Sequence, residues 1–314
     1  MPDAVVIFGA TGFVGRNLVA RLSGKVARIV AVSRNGAPVA GADQCMAMDR
    51  IDNIAALPVD TVVINLAAQR YDASRFDMAQ SDILTANVEI ANAVYRFCIR
   101  RGLREVRAAS SVAVYEAGLA VLDDRRPVDF NAPPNTNEAF YAWSKRWSEI
   151  IAGLHRDRFG ISTVSFRLSN PYGPHDSVDS ASAHVLPAFV MRALAPGEAF
   201  VIKGSPRVER DFIYIDDVCD VFETSLDWRG ETVAMNLCAG RANTLYELAE
   251  TILAILGDKR RIVANDEMAQ GVAARRSTNT MVIEATGKST FATLAEGLIP
   301  TLEWYANALA SSSN

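Results

Sequence analysis

The sequence predicts an α/β protein whose central parallel sheet carries helices on both faces. Short apolar runs alternate with segments of helical apolar spacing through the first half of the chain. A glycine-rich turn at residues 9–15 directly follows the first apolar run and precedes a helical segment. Half of the 314 residues are hydrophobic, so the chain can bury a large core in one domain or in two closely joined ones.

The net charge and the numbers of cysteines and histidines argue against several classes of protein. A net charge of −4 argues against nucleic acid or an anionic membrane as partner. The 4 cysteines are scattered and only 3 histidines are present, so we expect reduced thiols and no metal site. Since no apolar run approaches about 18 residues and no basic leader precedes one, we expect a soluble, cytoplasmic protein without a targeting segment.

The first strand and the first helix flank the glycine-rich turn. We predict a strand at residues 4–8 and a helix that ends near Leu22. Glycines at 9, 12 and 15 permit a tight turn, close approach of a pyrophosphate and close packing of helix on strand, and the helix N-terminus favours an anion. The turn therefore predicts dinucleotide binding. Its candidate cofactor-binding residues are Gly9, Thr11, Gly12, Phe13, Val14 and Gly15.

The end of the second strand, predicted at residues 29–33, should lie near the adenosine ribose of such a cofactor. An acidic residue there would accept a hydrogen bond from a free 2′-hydroxyl, whereas an arginine accommodates a 2′-phosphate. This chain has Ser33 and Arg34 and no acid, so NADP is favoured over NAD unless Arg34 is only a solvated loop charge. Asp49, which follows the third strand at residues 44–47, caps either the adenine edge or a helix.

Two further strands should bring residues to the cofactor and the substrate. The fourth ends at Leu66, and the small Ala67 and Ala68 after it would let a nicotinamide ribose approach the backbone. The fifth, at residues 105–110, delivers Ser111 to the carboxyl end of the sheet. Ligands of doubly wound sheets bind at that end, so Ser111 is a candidate site residue.

Two long helices are predicted between the later strands. The first, at residues 81–101, carries Asn87, which is either a buried polar link or a surface residue. The second, at residues 137–159, has helical apolar spacing and no internal proline, and a sixth strand follows at residues 161–168. The apolar positions of the second helix are Phe140, Trp143, Trp147, Ile150, Ile151 and Leu154.

The second long helix also carries Tyr141 and Lys145, which share one face because they stand four residues apart. A free phenol titrates near 10, too high for a base at neutral pH. A nearby ammonium favours the phenolate, and lowering the pKa by about three units requires roughly 4 kcal/mol. On its own, such a pair is more typical of the surface of an ordinary amphipathic helix. The motifs around it favour a catalytic acid/base.

Four motifs follow one another along the chain. They are the glycine-rich turn, Ser-Ser-Val-Ala-Val-Tyr at 110–115, Tyr-x-x-x-Lys at 141–145 and Arg-Leu-Ser-Asn-Pro-Tyr-Gly-Pro at 167–174. With these motifs, the sequence from about residue 5 to residue 305 resembles the extended short-chain dehydrogenases of the NAD(P)-dependent epimerase/dehydratase family, which act on nucleotide sugars. The resemblance implies a Rossmann-type doubly wound parallel sheet with a smaller C-terminal α/β substrate-binding lobe.

The resemblance also implies an organisation into domains and a partner. We expect residues 1–170 to form the dinucleotide-binding domain, with later strands near residues 210–240 returning to it. Residues 171–314 would then form mainly the substrate-binding lobe. A homodimer through the helices that contain Ala91 and Ile150 is expected from the family alone.

The matched residues take their roles from the family. Tyr141 would be the catalytic acid/base, and Lys145 would hold the cofactor ribose and lower the pKa of the tyrosine. Ser111 would hydrogen-bond the reacting sugar oxygen. Asn170 would contact the nucleotide diphosphate of the substrate.

The second half of the chain adds candidates for substrate binding. Arg210 lies in an Arg-Asp-Phe segment that resembles the family's, which implies that it pairs with a substrate phosphate, unless it forms an internal ion pair with an aspartate. Arg276 either binds a second phosphate or belongs to a solvated basic pair with Arg275. His184 either contacts the sugar or packs structurally. One of the two acids at 216 and 217 is expected to cap the helix that runs to about residue 226.

Three details indicate which reaction the chain performs. Val112 and Ala113 stand where family dehydratases carry Asp-Glu, which argues against water elimination. The segments around His175 and His184 resemble GDP-fucose synthase, but Ala113 replaces the cysteine that works with the histidine there, so the apparatus for 3,5-epimerisation is incomplete. Arg34 suggests NADPH, whereas the carbon-4 epimerases, such as UDP-glucose 4-epimerase, generally retain NAD.

The favoured interpretation is therefore an NADPH-dependent reductase of a nucleotide-linked 4-ketosugar, with Tyr141 as acid/base. The alternative is a nucleotide-sugar 4-epimerase that uses the same groups. A non-catalytic cofactor-sensing protein of the same fold is less favoured, since such proteins usually lose the tyrosine or the lysine.

Overall fold

The computed structural model describes residues 1–69, 80–136, 139–179, 183–265 and 275–312. The first two positions of the helix predicted at 137–159 lie outside these residues. Within the described residues, the chain forms a seven-stranded sheet, smaller sheets of two and three strands, and helices around them.

All seven strands of the central sheet are parallel. Six of them are β1 (Ala4–Phe8), β2 (Arg28–Ser33), β3 (Gln44–Ala47), β4 (Val62–Asn65), β5 (Glu105–Ser111) and β7 (Ser162–Leu168). The seventh is β11 (Val233–Leu237), which pairs with β7 at one edge. The spatial order is β11-β7-β5-β4-β1-β2-β3, and it confirms the predicted doubly wound parallel sheet.

Helices cover both faces of this sheet. In the part of the chain that the structure describes, the α-helices are α1 (Phe13–Leu22), α2 (Gln80–Arg101), α3 (Ala139–Phe159), α4 (Val185–Leu194), α5 (Ile215–Ser225), α6 (Leu245–Leu256), α7 (Thr280–Thr286) and α8 (Leu294–Ser312). In β1, Val5 and Ile7 face a core that includes Leu18 of α1, whereas Val6 and Phe8 face a separate core that includes Phe97 of α2. This alternation explains why β1 is a continuous apolar run.

A smaller lobe is built from the remaining strands. They are β6 (Val121–Leu122), β8 (Asn170–Tyr172), β9 (Ala199–Lys203), β10 (Glu209–Tyr214), β12 (Ala242–Thr244), β13 (Arg261–Asn265) and β14 (Arg276–Ser277). β8, β10 and β12 form one sheet, and β9 pairs with β13. A third core, which includes Phe189, Phe200, Ile252 and Leu298, joins α4, α6 and α8 to β8, β9 and β10.

The buried face of α3 differs from the one that its apolar spacing predicts. Ile151 is buried, but the other five apolar positions are between 38% and 59% exposed: Phe140, Trp143, Trp147, Ile150 and Leu154. The other buried positions of α3 are Ala142, Ser144, Lys145, Arg146 and Ala152, and they do not form one apolar face. Hydrogen bonds hold the polar side chains among them: Ser144 bonds to Asn87 of α2, Lys145 to the Ala109 carbonyl oxygen of β5, and Arg146 to the Val114 carbonyl oxygen.

The start of α5 corrects a second expectation. Its N-cap residue is Tyr214, and no side chain caps it. Asp216 is exposed, whereas the buried Asp217 accepts a hydrogen bond from the Ala292 N–H at 2.8 Å and pairs with Lys288. Asp217 therefore ties α5 to the segment before α8. None of the described helices is both long and apolar enough to cross a membrane.

Candidate active site

A cavity of about 660 Å³ opens at the carboxyl ends of the central strands, which is the size of a small-molecule site. Its walls come from the loops after β1, β2, β4, β5 and β7, from α3 and from the start of α4. Because every strand of the sheet runs in the same direction, these loops meet at one edge. Residues that are far apart in sequence therefore face one space.

The glycine-rich turn forms one end of the cavity with all six of its predicted cofactor-binding residues. Gly9 has φ of +81°, and a Cβ there would lie 2.6 Å from the Ala67 nitrogen. A Cβ on Gly15 would lie 2.3 Å from the Gly9 oxygen. The turn thus admits no side chains at these two positions. With the N-terminus of α1 uncapped by any side chain, it fits the pyrophosphate of a dinucleotide.

Ser33 and Arg34 line the cavity where β2 ends. The Ser33 Oγ is buried and has no hydrogen-bond partner among the described residues. The exposed Arg34 guanidinium donates to Gln69 Oε1 at 3.3 Å. An unsatisfied buried hydroxyl beside a weakly held arginine fits an additional polar ligand, such as a ribose or its phosphate.

Leu66, Ala67 and Ala68 line the cavity next to the turn, and Asn87 holds their loop in place. Asn87 is buried: its Oδ1 accepts from the Gln69 N–H at 2.7 Å, and its Nδ2 donates to the Ser144 Oγ at 3.3 Å. The amide is therefore a buried polar link between this loop and α3, which answers the question that the sequence left open.

Ser111, Tyr141 and Lys145 lie on the wall of the same cavity. Lys145 is only 7% exposed, its Nζ donates to the Ala109 carbonyl oxygen at 2.8 Å, and it lies 5.6 Å from the centre of the Tyr141 ring. Burial lowers the pKa of Lys145 to about 8, against the opposing influence of the Glu149 carboxylate. The Ser111 Oγ accepts from the Ala113 N–H at 3.1 Å, so it caps the short 3-10 helix Val112–Val114 while facing the cavity.

Two of the predicted substrate-binding residues, Asn170 and His184, also line the cavity. Asn170 lies on β8, and its Nδ2 donates to the Asp211 carbonyl oxygen at 2.9 Å. His184 is the N-cap residue of α4. The cavity therefore extends from the central sheet to the smaller lobe, so that one ligand can contact both.

A sequence profile of the NAD dependent epimerase/dehydratase family matches residues 5–238. The chain belongs to this family and is an enzyme.

Individual relatives agree with this assignment. A dTDP-4-dehydro-6-deoxy-D-allose reductase from a Streptomyces species is 29% identical, covering 96% of this chain and 95% of the relative. A second, from Streptomyces bikiniensis, is 30% identical over 82% of both chains. A probable GDP-L-fucose synthase from rice, Oryza sativa subsp. japonica, is 26% identical and covers 72% of this chain and 70% of the relative.

Solved structures share the fold. A UDP-glucose 4-epimerase from Thermotoga maritima, crystallised with UDP-glucose, has a TM-score of 0.83 at 21% identity and covers 98% of this chain and 99% of its own. A GDP-L-fucose synthetase from Naegleria fowleri has a TM-score of 0.80 at 19% identity, with 98% and 95% coverage. These similarities confirm the Rossmann-type architecture of the enzyme.

Three predicted site residues lie outside the cavity lining that the described residues form. Asp49 is in the first turn of the 3-10 helix Met48–Asn53, next to Met48, which does line the cavity. Arg210 lies on β10, and its Nη1 donates to the Glu209 carbonyl oxygen at 2.7 Å. Arg276 pairs with both oxygens of the Glu209 carboxylate, at 2.6 and 2.8 Å, beside a smaller cavity of about 200 Å³.

Arg275, rather than its neighbour, lines the main cavity of the enzyme. Successive residues of an extended backbone point to opposite sides, so the choice between the two arginines depends on register. That register is set by the Arg275 N–H, which donates to the Glu209 carbonyl oxygen at 3.3 Å. The sequence carries no local signal for this pairing. Asp176 and Gln69 were likewise missed, because each reaches the cavity through a loop.

The glycine-rich turn yields a test with a matched control in another helix. In Gly15→Ala, the new methyl group would collide with the Gly9 oxygen and the Ala10 backbone, so we expect cofactor affinity to fall by at least about tenfold and stability to drop. A Cβ on Gly153 in α3 meets nothing within 4 Å, so Gly153→Ala should keep affinity and add about 0.5–1 kcal/mol.

Urea denaturation and fluorescence titration with a nicotinamide cofactor measure both effects. Unchanged cofactor affinity in a folded Gly15→Ala protein would contradict the assignment of the turn as the pyrophosphate site.

Proposed function

We propose that the enzyme is an NADPH-dependent reductase of a nucleotide-linked 4-keto-6-deoxy sugar. The observation that carries this proposal is the placement of Ser111, Tyr141 and Lys145 on one cavity with the glycine-rich turn. The names of the two Streptomyces relatives, which are reductases of a dTDP-4-dehydro-6-deoxy sugar, support the substrate class. Arg275 and Asn170, on the substrate side of the cavity, suit a diphosphate.

The reaction needs a hydride at carbon 4 and a proton on the ketone oxygen. When bound, the reduced nicotinamide would supply the hydride. The Ser111 Oγ and the Tyr141 hydroxyl would donate hydrogen bonds to the ketone oxygen and orient it. Tyr141 would then give its proton to that oxygen, and the Lys145 ammonium beside the ring would stabilise the phenolate that remains.

The residue at position 113 argues against inversion at carbons 3 and 5. Such epimerisation removes a proton beside the ketone and returns it to the opposite face, which requires a second acid/base pair. Ala113, buried at 6% exposure next to Ser111, carries no titratable group. His184 lines the cavity without a thiol at that position. Simple reduction at carbon 4 therefore fits the residues present.

Cofactor consumption distinguishes the reductase from the alternative 4-epimerase. We expect one NADPH to be oxidised per 4-keto-6-deoxy nucleotide sugar, since a reductase does not regenerate its cofactor. Tyr141→Phe removes only the hydroxyl and should lower turnover by about 10²–10⁴ while cofactor binding is retained. Tyr246→Phe, on the exposed side of α6, is the control and should keep full turnover. Absorbance of the reduced nicotinamide and product analysis measure these outcomes.

Interconversion of two 4-epimers without added reductant would overturn the reductase in favour of the epimerase. Solvent deuterium at carbon 3 or 5 of the product would show that a residue other than the missing cysteine performs the proton transfers.

The preference for NADPH rests on Ser33 and Arg34 at the end of β2. A 2′-phosphate would give the Arg34 guanidinium a charged partner in place of the 3.3 Å contact with Gln69. A hydrogen bond between charged groups contributes about 1.5–3 kcal/mol, which is about ten- to a hundredfold in affinity.

Exchanging the charge at this position should exchange the preferred cofactor. In Arg34→Asp, the carboxylate repels a 2′-phosphate and accepts from a free 2′-hydroxyl, so NADH should bind more tightly than NADPH. The matched control is Arg50→Asp, an exposed arginine outside the cavity lining, which should leave the preference unchanged. Fluorescence titration with both cofactors decides this. Equal or tighter binding of NADH by the parent protein would refute the assignment.

We further propose that two copies of the chain associate through α2 and α3. Five apolar side chains at helical spacing stay 38–59% exposed on α3, a patch that a soluble chain rarely leaves open: Phe140, Trp143, Trp147, Ile150 and Leu154. A second copy would cover this stripe with its own, since a two-fold interface brings the same surface of each copy together.

A charge in the stripe should separate the copies. Trp147→Glu places a carboxylate among these apolar groups, so sedimentation equilibrium should report the mass of one chain instead of two. Ile299→Glu, at a 48% exposed position of α8, is the control and should remain dimeric. A parent protein that sediments as a monomer at micromolar concentration would contradict the proposal.

A further inference from the structure

Glu149 continues the face of α3 that carries the candidate catalytic residues. Tyr141, Lys145 and Glu149 are each four residues apart, so they lie one above the other along the helix. The Glu149 side chain is only 5% exposed. Burial of a carboxylate is unfavourable unless the group is paired and hydrogen-bonded. The partners of Glu149 therefore indicate its role.

The carboxylate joins α3 to the ends of two strands. Its Oε1 accepts from the Ser110 Oγ at 2.6 Å and from the Arg167 Nε at 3.0 Å, and its Oε2 accepts from the Arg167 Nη2 at 2.7 Å. Ser110 precedes Ser111 on β5, and Arg167 precedes the cavity-lining Leu168 on β7. These contacts therefore fix the position of α3 along β5, the strand that ends at Ser111.

The charged and titratable groups packed around Lys145 come from several elements. The helix itself contributes Glu149 and Tyr141, β7 contributes Arg167, and Tyr115, after β5, accepts a hydrogen bond from the Arg167 Nη1 at 3.1 Å. From α2, the facing group is the neutral amide of Asn87, bonded to Ser144. Asp176 and Arg275 lie on the wall of the same cavity. Among these groups, Glu149 opposes the fall in the pKa of Lys145 that burial causes.

We propose that Glu149 is a positioning residue for Lys145: it fixes α3 in register with β5 and supplies the negative charge that keeps the buried ammonium charged. This role rests on the proposed function of Lys145 in holding the cofactor and stabilising the Tyr141 phenolate. Arg167 neutralises part of that charge and thereby limits its influence. The buried pair of Glu149 and Arg167 therefore acts on Lys145 against the larger effect of burial.

Two substitutions should shift the titration of Lys145 in opposite directions. Glu149→Gln removes the negative charge and leaves Arg167 uncompensated, so the pKa of Lys145 should fall by about one unit. Arg167→Gln leaves the carboxylate uncompensated, so the pKa should rise by a similar amount. Competitive acetylation of the protein without substrate or cofactor, followed by mass spectrometry, measures the reactivity of Lys145 against pH.

A second buried Glu–Arg pair on β5 provides the control. Glu105 accepts from the Arg107 Nη1 at 3.2 Å near the amino end of the strand, far along the sheet from the cavity. Glu105→Gln and Glu149→Gln should both destabilise the protein in urea, but Glu105→Gln should leave the pKa of Lys145 unchanged. In turnover assays, Glu149→Gln should also move the alkaline limit to lower pH.

The labelling result is independent of which sugar the enzyme reduces. Suppose that no ketosugar is reduced, but that the pKa of Lys145 falls in Glu149→Gln and rises in Arg167→Gln. The proposed reaction then fails and the role of Glu149 stands. If Lys145 titrates at the parent pH in both folded variants, Glu149 is only structural and the inference is overturned. If Glu149→Gln does not fold, an unchanged or lowered pKa of Lys145 in Arg167→Gln would also overturn the inference.

Discussion

The hydrogen bond from the Lys145 ammonium to the Ala109 carbonyl oxygen is the contact on which the site depends. A charged group that is only 7% exposed loses most of its hydration, so it needs fixed acceptors nearby. The end of β5 provides one, and the contact draws α3 onto that strand. Ser111 and Tyr141 then face the same cavity because one lies at the end of β5 and the other one turn before Lys145.

The parallel sheet makes this arrangement possible with short connections. All its strands end at the same edge, so the glycine-rich turn, the loop after β4 and the end of β5 meet without long connections. Close approach is enforced by backbone packing: the carbonyl oxygen of Gly9 lies beneath Gly15, and Gly9 itself lies against Ala67. The small lobe adds Asn170 and His184 from the other side of the cavity.

Local patterns were enough to predict most of the fold. Strands β1 and β3 begin and end where the sequence analysis places them, because apolar runs act over a few neighbouring residues. Helix α1 ends at Leu22 as expected but begins at Phe13, inside the predicted turn. Features that depend on distant partners were not predictable. Asp217 bonds to Ala292 and pairs with Lys288 instead of capping α5, and the choice between Arg275 and Arg276 depends on pairing with Glu209. No local spacing encodes such contacts.

Helix α3 shows why periodicity can identify a helix and still assign the wrong face. Its apolar stripe has the spacing of a buried face, yet Trp143, Trp147 and Leu154 point away from the sheet. The inner face must instead admit a cofactor and hold Lys145 and Glu149, so it uses small residues and paired charges. The inner face buries little apolar area. The outer stripe would bury its apolar area, and so contribute free energy, only if another surface covered it. The same helix therefore carries the candidate catalytic residues on one side and an exposed apolar stripe on the other, and the sequence pattern reports the stripe more strongly than the candidate catalytic residues.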